Sequence, residues 1–222
     1  MTKTAQTIAL VIFAIFTLSS MAFAGWPIPD SGQTKCYNDT SEIPCPAPGE
    51  DFYGQDAQYV NNPRSYTKLQ GGIMVQDNVT GLIWEVKQAK DDAEDFSNPH
   101  DADNEYTWYD SNPATNGGNA GTPGDGTDTE DFINALNSEN FGGHSDWRLP
   151  TIKELASIAD LGTYGPTINT EYFPNTHSSS YWSATTYAGS TYDAWCVPFS
   201  YGYDYNSPKS YSRYVRGVRS EQ

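Results

Sequence analysis

The chain reads as an α+β protein, with its helices and strands segregated along the sequence rather than alternating. Three features point there. Residues 73–87 hold two apolar runs around a turn, two marked helix starts lie near residues 128 and 151, and helix signals vanish after residue 162.

The elements follow in order. Residues 1–24 have the three parts of an export leader: Lys3 at the start, an apolar run from Ile8 to Leu18, and the small-x-small site Ala22-Phe23-Ala24. The apolar run is about half the length a membrane-spanning helix needs. Gly25 rather than Cys follows the site, which argues against a lipid anchor. The expectation is an exported protein of the periplasm, cell surface or medium, with no membrane insertion after cleavage. Residues 25–70 are rich in Pro, Gly, Asn, Asp and Tyr and read as an irregular arm that packs on the domain at 71–222 as one unit. Cys36 and Cys45 stand nine apart among prolines, and in an exported chain this spacing predicts a local disulfide. Asp77-Asn78 and Thr80-Gly81 mark the turn of a hairpin over 73–87. Residues 88–131 form an acidic insertion, and the stretch 114–128 is too rich in Gly, Asn, Thr and Asp to build a core.

The first helix is expected to start between Thr127 and Thr129, with Glu130 and Asp131 favouring its dipole, and to end at Gly142-Gly143. The second opens with the capping box Thr151-Ile-Lys-Glu154, carries a Leu155, Ile158, Ala159 stripe and stops at Gly162. Strands are expected over 181–187, 193–199 and 211–219. In the second, Trp195, Val197 and Phe199 share one face. If that face meets the core, Cys196 points outward.

Charge narrows the partners. Residues 25–131 hold 20 acids and 5 bases, a net of −15, whereas residues 132–222 hold 8 and 6, a net of −2. Such an acidic surface repels phosphate backbones, so no nucleic-acid partner is expected. Calcium is a weaker question. Asp125, Asp128 and Asp131, with Asp101, Asp103 and Asp110, offer hard oxygens, but their spacing is not that of an EF-hand loop and a solvated acidic loop accounts for them.

The informative segment is 181–214, with eleven aromatics, eight of them tyrosine, and six serines in 34 positions. Tyrosine offers rigid contact area with a polar tip, and Ser, Gly and Asn supply adaptable hydrogen bonds, which is the composition of a loop-built binding surface. A tyrosine-rich sheet covering a core is the plainer alternative. The run Ser200-Tyr-Gly-Tyr-Asp-Tyr-Asn-Ser-Pro208 is too turn-rich for a buried strand and argues for the surface. From Ser183 to Pro208, every residue except Trp195 can be encoded by a codon ending in a pyrimidine.

Thr80-Gly-Leu-Ile-Trp84, Tyr106-Thr-Trp-Tyr109, Asp146-Trp-Arg-Leu-Pro-Thr151 and Tyr214-Val-Arg-Gly-Val-Arg219 together resemble the Lcl C-terminal domain family of exported bacterial proteins, over about residues 30–220. The resemblance implies a C-type-lectin-like fold, related to the formylglycine-generating enzymes, with two helices, a twisted mostly antiparallel sheet and much irregular loop. It implies a polysaccharide-binding adhesin module, and in some relatives a retroelement-diversified variable protein. The residues it nominates are Gly189, Ser190, Tyr192, Asp193, Cys196, Pro198, Ser200, Tyr203, Asp204, Tyr205, Asn206, Ser207 and Arg213; the aromatic reading adds Trp195. The Glu-Pro-Asn calcium-sugar motif of true C-type lectins is absent. Lys209, Arg213, Arg216 and Arg219 would suit a sulfated glycan only if they cluster, and Arg148, Arg216 and Arg219 read better as structural partners of acids.

Three function classes follow. The first is a non-catalytic module binding an extracellular protein or polysaccharide, as a monomer or a homo-oligomer. The second is a structural subunit of a surface layer, pairing through strand edges. The third is an oxidase, which one unpaired cysteine, Cys196, serves poorly as a copper site. His100, His144 and His177 are not spaced as a metal pair, and no cofactor is expected.

Overall fold

A computed structural model of the chain describes residues 27–220, apart from positions 89, 110, 113, 115–121 and 123. The leader at 1–24, Asp110 and most of the glycine-rich stretch lie outside the described residues.

The architecture is mixed α+β with a mostly β core. In chain order the described elements are β1 (Cys36–Tyr37), β2 (Glu42–Ile43), β3 (Tyr66–Leu69), β4 (Met74–Asp77), β5 (Leu82–Glu85), α1 (Thr129–Ser138), α2 (Ile152–Ser157), β6 (Ser180–Thr186), β7 (Asp193–Pro198), β8 (Tyr205–Pro208) and β9 (Val218–Ser220). They make three antiparallel sheets: β1-β2, β3-β4-β5-β9 and β6-β7-β8.

The β4–β5 turn is local chemistry. The Asp77 carboxylate accepts from the amides of Val79 and Thr80, and Gly81 takes the left-handed φ of 74° that closes the turn. β5 is covered on both sides, with Leu82 and Trp84 in one apolar cluster and Ile83 in the other. Trp84 pairs across to Val75 and Val218, which sets β4, β5 and β9 in register. The acidic residues of the insertion mostly cap backbone. Asp128 receives the amides of Glu130 and Asp131 at the start of α1, and Asp131 receives those of Gly124 and Gly126.

Helix α1 ends at Ser138, earlier than the expected Gly142-Gly143. Helix α2 starts as expected, with Thr151 and Glu154 exchanging capping bonds. It stops at Ser157, not at Gly162, because Arg64 reaches in from the arm. Its guanidinium donates to the carbonyls of Ser157 at 2.7 Å and Ala159 at 2.5 Å, satisfying acceptors a longer helix would have used.

The C-terminal strands also differ from expectation. Residues 211–219 form no single strand. Arg213 and Tyr214 make isolated bridges to Tyr106 and Tyr181, and only Val218–Ser220 joins a sheet. The tail thereby stitches the two larger sheets together. The turn-rich run contains a strand, β8, because its Tyr205–Pro208 end finds register against β7.

The arm is braced as one unit and joined to the rest. Cys36 and Cys45 form the expected disulfide. Gln55 ties itself to both the amide and the carbonyl of Tyr37. Ser31 accepts the amide of Leu161, and β3 forms one edge of the four-stranded sheet.

Candidate ligand-binding face

The site residues gather on the three-stranded sheet. Trp182, Cys196 and Tyr205 lie in register across it, and so do Ala194 and Ser207. These five side chains share one face, which packs against Phe132, Trp147 and Val215 in the second apolar cluster. The alternate residues Asp193, Trp195 and Asn206 share the other.

That placement corrects the reading of Cys196. It is fully buried, donates to the Tyr205 carbonyl, and has its thiol pushed up to about 11 by burial. The period-2 pattern separated the two faces correctly, but both are covered at this point: Val197 and Phe199 sit in the first cluster while Cys196 sits in the second. Ser207 and Pro198 are buried as well. Ser207 accepts from Arg213 and so positions that cation from beneath.

The remaining residues reach the surface in two groups, at opposite ends of β7 and about 17 Å apart at the strand's usual rise. One group lies at the β6–β7 turn. Tyr187 and Asp193 close this turn through backbone bonds, and it carries Gly189, Ser190 and Tyr192, the last 68% exposed. Asn206 donates to Asp193, and Tyr187 meets Trp195 edge-on at 5.4 Å. The other group is the β7–β8 connection with Ser200, Tyr203, Asp204 and Tyr205. Here Tyr201, Tyr203 and Tyr205 form a ladder of rings with centroids 6.0 and 6.2 Å apart. Tyr205 is anchored through its hydroxyl to Ser180 at 2.7 Å, whereas Tyr201 and Tyr203 are 70% and 55% exposed.

Sequence reasoning missed Tyr187 and Tyr201 as site members. It also missed Gly202, whose φ of 81° lets the chain turn between the two outward tyrosines. A Cβ there would meet the side chains of Leu161 and Thr167, so only glycine lets this turn lie flat on that loop. The signal was present in the Tyr-Gly-Tyr spacing.

The basic residues do not form an anion patch. Arg216 is fully buried and donates to the Glu85 carbonyl and to Thr176, and burial lowers its pKa. Lys209 is also fully buried, with its ammonium 3.8 Å from the centre of the Trp108 ring. Arg219 pairs with Asp146, and Arg148 with Glu154 through both nitrogens. Among the described residues, no three His, Cys, Asp or Glu side chains are grouped to hold a metal ion. Asp103 is engaged by His177 and by the amides of Asp91 and Asp92, and these hydrogen bonds outweigh burial and lower its pKa.

A mixed α+β module, with aromatic rings turned outward from one sheet and the motif residues Arg216 and Arg219 turned inward, is the class this arrangement defines. The Lcl C-terminal domain model matches residues 73–219, and the chain belongs to that family. No curated protein and no solved structure gives a significant match. The shared motif residues are framework: Trp84, Trp147 and Arg216 are buried, and the tyrosine-bearing turns lie apart from them.

Proposed function

We propose that this protein is an exported, non-catalytic binding module that captures an extracellular protein or polysaccharide through the outer edge of its three-stranded sheet. The observation that carries this reading is the outward aromatic set of Tyr192, Trp195, Tyr201 and Tyr203. These rings cover no core of their own and lie beside the adaptable polar groups of Ser190, Ser200, Asp204 and Asn206. Rigid aromatics among small polar residues are economical in conformational entropy when a ligand is bound. Export is supported by the leader pattern and the disulfide. Among the described residues no helix is long and apolar enough to cross a membrane.

A C-type-lectin-like fold and a retroelement-diversified face fit the same picture. The pyrimidine-ended codon alphabet falls on the turns and strands that build the face, from Ser183 to Pro208. Cys196 and Ser207 then act as supports beneath it. The non-enzymatic reading is supported by the state of the cysteines, two joined in a disulfide and the third a buried thiol raised well above its usual range. Turnover of a thiol peptide in the presence of copper would overturn that part.

The test is an array of glycans and cell-surface proteins, probed with the chain from residue 25 onward and with a Tyr192→Ala, Tyr203→Ala double variant. A specific hit that the variant loses is the expected result. Silence from both, with light scattering that rises with concentration, would favour a structural subunit instead.

A further inference from the structure

The tyrosine ladder does not stand alone. The loop at 160–164 lies between it and the arm, and both sides are fixed to that loop. On the arm side, the Leu161 amide donates to Ser31, and a Cβ on Gly162 would run into the Gly32 carbonyl. On the ladder side, Gly202 rests on Leu161 and Thr167, and the Thr167 amide donates to the Phe199 carbonyl. A cleft of about 500 Å³ lies across the junction, with Gln33, Lys35 and Tyr37 from the arm and Tyr164, Ser200 and Tyr201 among its walls. Tyr37 is held in place because the disulfide lies next to it at Cys36 and Gln55 grips both its backbone groups. The arm lies outside the family match at 73–219, so this wall belongs to the chain rather than to the shared domain.

We infer that this cleft is a glycan subsite and that it selects an uncharged oligosaccharide; this rests on the binding function proposed above. Three tyrosine rings offer apolar faces with polar tips, which match a sugar ring's C–H face and its rim of hydroxyls. Gln33 and Ser200 add an amide and a hydroxyl beside them. Among the described residues Leu161 is the one aliphatic side chain in the cleft wall, so they form no deep apolar pocket of the kind that anchors peptide side chains. Thr167, also in the wall, is buried, and among the described residues its hydroxyl has no hydrogen-bond partner. Among the described residues the cation in the cleft wall is Lys35, which is paired with Glu42 at 2.7 Å, and the surrounding chain is strongly acidic. A polyanion would meet repulsion without a compensating charge.

The test uses the chain from residue 25 onward and two variants, Tyr37→Ala and Tyr164→Ala, both at exposed positions whose loss should leave the folded state intact. The probes are uncharged gluco-, manno-, galacto- and xylo-oligosaccharides, with heparin and a peptide array as comparison. The expected result is binding to at least one uncharged oligosaccharide, unchanged between low and high salt and weakened about tenfold or more in each variant. Binding of heparin alone, with a steep fall in salt, would overturn the inference. So would capture of peptides alone, or an uncharged hit that both variants retain. A hit lost in Tyr192→Ala, Tyr203→Ala yet retained in Tyr37→Ala and Tyr164→Ala would leave the binding module standing and remove only the cleft.

Discussion

The four-stranded and three-stranded sheets treat polar and aromatic side chains in opposite ways. Around β5 of the first, charge is turned inward and paired. Glu85, with no exposed surface, meets Lys87 at 3.2 Å, His100 at 2.9 Å and the Gly217 amide at 3.0 Å, and His100 reaches on to Glu139 at 2.6 Å. In the second, Tyr181 and Trp182 are buried, but the rings carried by its two turns, Tyr192, Tyr201 and Tyr203, are turned outward, and Tyr201 and Tyr203 stack on each other. Buried charge networks specify one arrangement and tolerate no change. Exposed tyrosines and asparagines stabilise little and can be exchanged freely. The two kinds of side chain are kept in separate regions.

That contrast can be broken most severely at Glu85. Burial alone would raise its carboxyl, but the Lys87 charge and the His100 hydrogen bond outweigh it and hold the pKa down to about 2. Replacing Glu85 by Gln leaves buried Lys87 without its anion and His100 with Glu139 alone, and should cost about 3–5 kcal/mol in denaturant unfolding. A loss no larger than that of a surface substitution would show that the network is not what organises this half.

Removing the disulfide should have the next largest effect, and a local one. A cross-link spanning nine residues should hold the arm by about 2–3 kcal/mol on chain-entropy grounds. In a Cys36→Ser, Cys45→Ser variant, amide exchange should accelerate around β1 and β2 while the three-stranded sheet keeps its protection. Equal acceleration everywhere would mean the arm is part of the global unit.

The pH dependence is subtler. Burial would lower the His100 imidazole, but its hydrogen bond to Glu85 and the charges of Glu85 and Glu139 prevail and raise it above 6.5. A group whose pKa is raised on folding contributes fully below its unfolded value, and the contribution fades as pH climbs through the folded one. Thermal stability should therefore decline as pH rises above 6.5, and His100→Asn should flatten that slope. At the acid end the sign reverses. Glu85 contributes above its unfolded value of 4.5 and loses that contribution as pH falls toward about 2.

The smallest expected effect lies in the other sheet. Tyr203→Ala and Tyr192→Ala should each change stability by no more than about 0.5 kcal/mol, the usual range for surface sites. A larger loss would mean these rings cover a core, the plainer reading of the tyrosine-rich segment.

Much of this was legible in local chemistry. The Asp77 turn, the Thr151–Glu154 capping box, the start of α1 and the Cys36–Cys45 pairing all follow from residues a few positions apart. What escaped was non-local. Glu85 ends an apolar strand, and its partners His100 and Gly217 lie far along the chain, so nothing in the spacing marks it as the centre of a network. The turn-rich sequence before Pro208 hid β8, whose register comes only from β7. Alternation told which residues accompany Cys196 but not that both faces are covered where β7 runs on to Phe199. The two groups of surface residues are nearly continuous in sequence, and only the length of β7 sets them apart.

The most direct measurement is ligand capture by paired variants of the chain from residue 25 onward on an array of glycans and cell-surface proteins. One carries Tyr192→Ala and Tyr203→Ala; the other carries a stability-matched change in the four-stranded sheet, Ile83→Val. The account predicts a specific ligand lost by the first and retained by the second. Retention by the first and loss by the second would contradict it, because the binding surface would then lie on the half assigned to framework.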